Sequence, residues 1–181
     1  IGTNQTGKQS KGLHLHSTCV VTSSGLPLGV LRAECAAREQ RSQQDVRSLS
    51  AIPIEEKNTF SWIEGVRDCM DIKQIMPHTA LVSVMDREAD FFEIFDDQRR
   101  NSSRVDLLIR AQHNRKTTGE NKLFEEVMQS PIQSRIIIKI PLQSARVRRK
   151  NQKARGKRAA RSAEVTVRYI RTELKPPPYF K

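Results

Sequence analysis

The chain has 181 residues, 36% of them hydrophobic and 5% aromatic, which allows one ordinary domain or one plus part of another, with a core that cannot use every segment. Its 32 Lys and Arg against 20 Asp and Glu give a net charge of +12, which points to a polyanionic partner. No apolar run approaches the roughly eighteen residues of a membrane span and no signal-peptide pattern is present, so nucleic acid is favoured over a membrane surface.

Residues 1–12 read as a loop. Within it, Gly2-Thr3-Asn4-Gln5-Thr6-Gly7-Lys8 fits the spacing of a phosphate-binding loop. The match fails on mechanism: Gln9 stands where a hydroxyl should hold Mg²⁺, and a strand is expected next instead of a helix. Leu13 to Thr22 and Leu26 to Cys35 are two β-branched and apolar runs around Ser23-Ser24-Gly25, which predicts a hairpin. Pro27 sits near the start of its run, where a strand tolerates it. His14 and His16 alternate on one side of the first run and are read as structural. Cys19, Cys35 and Cys69 are scattered, without a C-x-x-C, which argues against a disulfide framework or a zinc site and fits a reducing cytoplasm.

Residues 36–54 are polar and predict a long flexible connection. From Glu55 to Met76, Phe60, Ile63, Val66, Met70 and Ile72 recur at helical spacing, and Pro77 stops the helix. Trp62, the single tryptophan, is read as a packing residue. A strand over 79–86, a helix from about Ala89 to Arg100 and a strand from Val105 to Ala111 follow. The polar bend Asn114-Arg115-Lys116 comes next. Hairpin, helix, strand, helix, strand is the order of an α/β chain, with a mixed sheet and helices packed on it. After Thr117 the character changes. Leu123 to Gln129 predicts a short helix, and Ile136 to Leu142 and Val165 to Ile170 predict strands. Between those strands lie Arg146, Arg148, Arg149, Lys150, Lys153, Arg155, Lys157, Arg158 and Arg161, with no acid from Pro141 to Ala163. Such a run is expected to be mobile until a polyanion arrives, and to contact phosphate.

The residue that stands out is Asp86, in Leu81-Val82-Ser83-Val84-Met85-Asp86. A strand that stops on an acid delivers a carboxylate to the end of a sheet, where ligands and metals collect in open α/β folds. Beside so basic a chain, that suggests Mg²⁺-assisted chemistry on a polyanion. The plain alternative is helix capping, by Asp86 or by Asp90 before Phe91-Phe92-Glu93-Ile94-Phe95. Glu88 is read either as a first-turn helix acid or as a residue supporting Asp86.

Asp86-Arg87-Glu88-Ala89-Asp90 resembles the signature around the second catalytic acid of bacterial cut-and-paste DDE transposases of the insertion-sequence-four family. Lys11 to Ser17 is similar to that family's second core strand, Leu28-Gly29-Val30-Leu31 to its partner, and Lys57 to Gly65 to the following helix. Leu107 to Lys116 resembles the strand after the signature, and the basic tract resembles the start of a β-rich insertion domain. The resemblance implies an RNase H-like mixed sheet with flanking helices, interrupted by that insertion: residues 1–116 as the central part of the catalytic core and 117–181 as the start of the insertion. It implies three carboxylates holding two Mg²⁺ ions, or Mn²⁺ in their place, for phosphodiester hydrolysis and strand transfer at transposon ends. It also implies a homodimer in the complete synaptic complex and a cytoplasmic, nucleoid-associated protein. Asp86 would be the catalytic and metal-binding acid. Arg110, Arg115 and Lys116 would meet DNA together with the basic tract.

Two departures bear on activity. No Asp or Glu precedes Glu34, so nothing replaces the family's first acid, and Tyr169 is followed by Thr172 where the last acid's helix needs Arg. The chain, which starts on Ile1 and ends Pro176-Pro177-Pro178-Tyr179-Phe180-Lys181, is therefore expected to be an internal piece, inactive alone. The rival expectation is a non-catalytic nucleic-acid-binding remnant, with Asp86 only a cap.

Overall fold

The computed structural model describes residues 12–37, 47–48, 51–101, 105–145 and 156–180. These fall into two compact units, 12–113 with 176–180, and 114–175. Among the described residues the chain is mixed α/β, with three two-stranded sheets.

In the first unit, β1 (His14–Val21) and β2 (Pro27–Ala36) form an antiparallel hairpin. The turn is closed by Thr22 N–H to Leu26 O at 2.9 Å, and Gly25 adopts φ 85°, a left-handed conformation in which a side chain would be strained. α1 (Phe60–Ile75) follows and ends two residues before Pro77. Lys73 closes its C-terminal turn by donating to Pro77 O at 2.9 Å and to Thr79 O. β3 (Leu81–Met85) then pairs in parallel with β4 (Val105–Ile109), the two joined through α2 (Phe92–Arg100). A parallel pair needs such a crossover, because its strands start at the same end.

The core of this unit gathers Ile63 and Val66 of α1, Met85, Ala89 and Ile94, and Val105 of β4 is also buried. Fully burying one such aliphatic side chain contributes about 1.5–3 kcal/mol. Arg32 ties β2 to α1 outside this core, with Glu34, Glu64 and Asp68 at 3.0, 3.1 and 3.2 Å.

Two expectations are corrected here. The strands of this unit were expected in one mixed sheet, yet among the described residues they form two separate pairs, β1 with β2 and β3 with β4. The chain after β3 was expected to enter its helix at Ala89, capped by Asp90. Instead a 3-10 turn spans Arg87–Ala89, and α2 starts at Phe92 behind Phe91, with no side-chain cap. Asp90 is drawn inward: it is 5% exposed and its Oδ2 accepts from Gln112 N–H at 2.6 Å and His113 N–H at 2.8 Å. The carboxylate satisfies two donors just past β4, clasping that chain to the end of β3.

The second unit is built around α3 (Leu123–Gln129) and an antiparallel hairpin of β5 (Ser134–Ile140) and β6 (Arg161–Val167). Glu126 is its hub, accepting from Thr117 Oγ1 and, at 2.8 Å, from Thr172 Oγ1. Thr117 is 2% exposed and bridges to Leu174. Asn114 caps α3 from outside the helix, its Oδ1 accepting from Phe124 N–H and its Nδ2 donating to Glu125, each at 2.9 Å. That amide holds the Glu125 carboxyl below its ordinary value.

Asp90→Ala would leave two backbone N–H groups without their acceptor. Gln112 and His113 are exposed, so water can partly replace the acceptor, and the expected loss in urea denaturation is about 1–2 kcal/mol. Asp90→Asn, which keeps a carbonyl oxygen, should lose less. An unchanged midpoint for the alanine variant would show the clasp to be dispensable.

Candidate functional site

Parallel pairing brings Met85 opposite Ile109, and Arg110 N–H donates to Met85 O at 3.2 Å. Asp86 and Arg110 therefore follow at the same carboxyl end of the two strands. Side chains alternate in a strand, and here Leu81, Ser83, Met85, Val105, Leu107 and Ile109 turn inward. Val82, Val84 and Leu108 form the exposed face, and Asp86 and Arg110 continue it. The site is thus an acid and a guanidinium following the carboxyl ends of neighbouring strands, on an exposed face that also carries Asp106.

Asp86 is exposed and extended, at φ −81° and ψ −174°, and its Oδ1 accepts from Glu88 N–H at 2.8 Å. It caps the 3-10 turn, so the plain reading of this acid is met by one of its two oxygens. Glu88 is exposed on that turn. Among the described residues Arg110 makes no ion pair, including with Asp106, leaving its five N–H donors for an anion.

A metal centre needs several oxygen or nitrogen donors converging on one point. Among the described residues no group of three or more His, Cys, Asp and Glu could hold a metal ion. Asp86 contributes one carboxylate, half of it engaged in capping. The described residues do not by themselves make the Mg²⁺ site that the resemblance implies.

The other expected DNA contacts are spread more widely. Arg115 is half-buried in the second unit, its carbonyl accepting from Leu123 N–H at 2.9 Å. Lys116 is exposed, and its carbonyl accepts from Lys175 N–H at 2.9 Å. Of the basic tract, Arg146, Arg148, Arg149, Lys150, Lys153 and Arg155 lie outside the described residues. Lys157, Arg158 and Arg161 are exposed. The expectation that the whole tract is mobile is corrected at its C-terminal end. Arg158 exchanges two backbone hydrogen bonds with Gln143, both 2.9 Å, and Arg161 opens β6 opposite Ile140. Backbone pairing orders these residues whatever their charge.

One feature escaped the sequence reading. A recess of about 610 Å³ collects His14, His16, Glu34, Glu55, Glu64 and Glu88 from four stretches of chain. The hairpin register sets His16 opposite Glu34, which strand alternation could have signalled, whereas Glu64 arrives on α1 and has no local cue. Arg32 pairs with Glu34 and Glu64 and offsets one of their two charges, so the recess is somewhat less acidic than its composition. Burial, reinforced by His14, pushes the His16 imidazole below its ordinary pKa, and its ring meets Trp62 edge-on at 4.7 Å. Trp62 is thus a packing residue here, as the sequence suggested.

No helix among the described residues is long and apolar enough to cross a membrane. In comparisons with known proteins, the chain matches no protein-family model and no curated protein.

Proposed function

We propose that the chain is a DNA-binding portion of a cut-and-paste DDE transposase, with Asp86 supplying one acid of its catalytic centre. The observation that carries this reading is the setting of the Asp86-to-Asp90 signature. Its first acid stands exposed at the carboxyl end of a parallel strand pair, held by its own turn, and Arg110, which makes no ion pair among the described residues, follows the end of the neighbouring strand. On this reading 1–116 is the middle of an RNase H-like core, 117–181 begins a β-rich insertion, and the parent protein acts as a dimer on transposon-end and target DNA. The net charge of +12 supplies the affinity for the polyanion. Mg²⁺ is held only where further acids join Asp86, so this chain alone binds DNA without cutting it.

The charge balance works through phosphate. Arg110, Arg115 and Lys116 position the duplex near the reacting strand, and the 146–161 tract adds contacts that carry no sequence information. Arg110 is suited to the task because a guanidinium can hold two phosphate oxygens in fork geometry.

Asp86→Asn separates the two roles of this acid. The amide oxygen can still accept from Glu88 N–H and keep the cap, whereas Asp86→Ala loses about 1 kcal/mol of capping. In a polypeptide that includes the remaining acids, Asp86→Asn should abolish strand cleavage and leave duplex binding within about twofold, since only transition-state stabilisation is lost. Cleavage retained by the asparagine variant would sink the catalytic role and leave a non-catalytic DNA-binding remnant.

The tract is tested by salt. Neutralising Arg148, Arg149, Lys157 and Arg158 together should make the slope of log affinity against log salt shallower by up to about four units, at roughly 0.9 per phosphate neutralised. Specific and random duplexes should change alike. An unchanged slope would place the DNA-binding face elsewhere on the protein.

A further inference from the structure

Backbone pairing in the second unit aligns three lysines. Lys116 bridges antiparallel to Lys122, with Leu123 N–H donating to Arg115 O at 2.9 Å beside that bridge. On the other side Thr117 bridges antiparallel to Leu174, and Lys175 N–H donates to Lys116 O at 2.9 Å, which sets Lys175 opposite Lys116. Residues opposite one another in antiparallel pairing send their side chains to the same face, with Cα atoms about 4.5–5.5 Å apart. Lys122, Lys116 and Lys175 thus form one row about 10 Å long. All three are exposed, while Thr117, the next residue along, is 2% exposed and turned to the opposite face.

Nothing local favours this row. Like charges directly opposite one another destabilise a strand pair. Elsewhere among the described residues cationic side chains lie against acids: Arg32 against Glu64 and Asp68, Lys57 against Glu93, and Arg135 against Glu164 across the β5–β6 pair. No ion pair reaches Lys116, Lys122 or Lys175 among the described residues. Lys122 is also the N-cap residue of α3, where a side-chain acceptor is usual and a cation opposes the helix dipole. Asn114 supplies the acceptor in its place. The nearby acids are engaged or too few. Glu126 turns inward to Thr117 and Thr172, and Glu125 is held by Asn114. Glu173, which strand alternation puts on the face of the row, offsets one of its three charges. The buried Thr117–Glu126 contact, and not the lysines, fixes the register that lines them up. A set of residues that breaks local rules without local gain, on a scaffold that holds it in place, points to a binding site.

We infer that Lys116, Lys122 and Lys175 seat the phosphates of one nucleic-acid strand without reading its bases. One strand carries a phosphate charge per about 3.4 Å of axis, so a row of this length meets two or three of them. Ammonium groups on flexible stems suit that task, since each meets a phosphate as a point charge and needs no fork geometry. The inference rests on the DNA-binding part of the proposed function, makes no use of Asp86, and adds Lys122 and Lys175 through the register alone.

The test uses the full chain and a short random-sequence duplex, with binding followed by fluorescence anisotropy over a range of salt. Lys122→Gln with Lys175→Gln should weaken binding at least about tenfold near 0.1 M salt and make the slope of log affinity against log salt shallower by about two units, at roughly 0.9 per phosphate. Lys122→Arg with Lys175→Arg keeps both charges and should leave the slope as it is. In the unaltered chain, duplex at about ten times its Kd should slow acetylation of Lys116, Lys122 and Lys175 about tenfold. Duplex binding by the unaltered chain together with a slope unchanged in the glutamine pair overturns the row and leaves the DNA-binding reading in place. Acetylation of the three lysines at the same rate in the complex as in the free chain does the same. No duplex binding by the unaltered chain overturns both. If the glutamine pair loses binding to phosphatidylserine vesicles while its duplex slope is unchanged, the row belongs to a membrane surface, and the inference falls equally.

Discussion

The buried carboxylate of Asp90 is the constraint on which the geometry of the first unit turns. Its two short hydrogen bonds fix the backbone of Gln112 and His113 against the turn that follows β3. β3 and β4 are five residues each and pair with no other strand among the described residues, and a two-stranded sheet is marginal by itself. Parallel pairing is also slightly weaker per residue than antiparallel. Strand pairing alone would leave the carboxyl end of this pair to fray. The clasp holds that end, where Asp86 and Arg110 stand, and it does so with an acid taken from the same short stretch as Asp86. Two acids four residues apart thus do opposite work: Asp90 is used up inside the fold, and Asp86 is left outside it.

Where local chemistry decided a structure, the sequence was a good guide. α3 spans Leu123–Gln129 as its pattern predicts, because Ser130-Pro131 ends it and five of its seven residues are strong helix formers. The hairpin turn follows from Ser23-Ser24-Gly25, and α1 stops where Pro77 requires. The readings that failed depended on partners far away in the chain. Asp90 has the local look of a helix cap, and nothing near it in sequence reveals two donors 22 and 23 residues ahead. The single mixed sheet was expected because hairpin, helix, strand, helix, strand is the usual order for one. The order of elements does not say which edges meet. The end of the basic tract was misjudged for a related reason, since composition is silent about the pairing of Arg158 with Gln143.

Asp86 illustrates how a structural role and a chemical role can share one residue. A capping aspartate uses one oxygen to hold its turn, which restricts the carboxylate's rotamer. Catalytic and metal-binding carboxylates need such fixed orientation, supplied by neighbours that are not themselves reactive. The cap therefore does not compete with the chemical reading; it pre-orients the group. What the described residues lack is convergence, for no second and third donor meets that carboxylate. Among the described residues the carboxyl end of the β3–β4 pair thus carries one oriented carboxylate and no converging set of metal donors.

α1 is the element that makes one unit out of two marginal strand pairs. Ile63, Val66 and Met70 belong to the core, packing with Met85, Ala89 and Ile94. One residue behind the first two, Trp62 and Gly65 begin a stripe that lines a cleft beside β1 and β3. The two stripes are about 100° apart around the helix, so α1 faces the β3–β4 side and the β1–β3 gap at once. Its polar side adds Glu64 and Asp68, which anchor Arg32 of β2. A helix committed on three sides leaves little freedom for the strands it supports. Among the described residues β1 and β3 each keep one edge without a partner strand. The apolar faces left exposed on β1, β2 and β3, among them Leu15, Val21, Leu28, Val30, Val82 and Val84, follow from that arrangement. They belong to strands whose pairing is half complete.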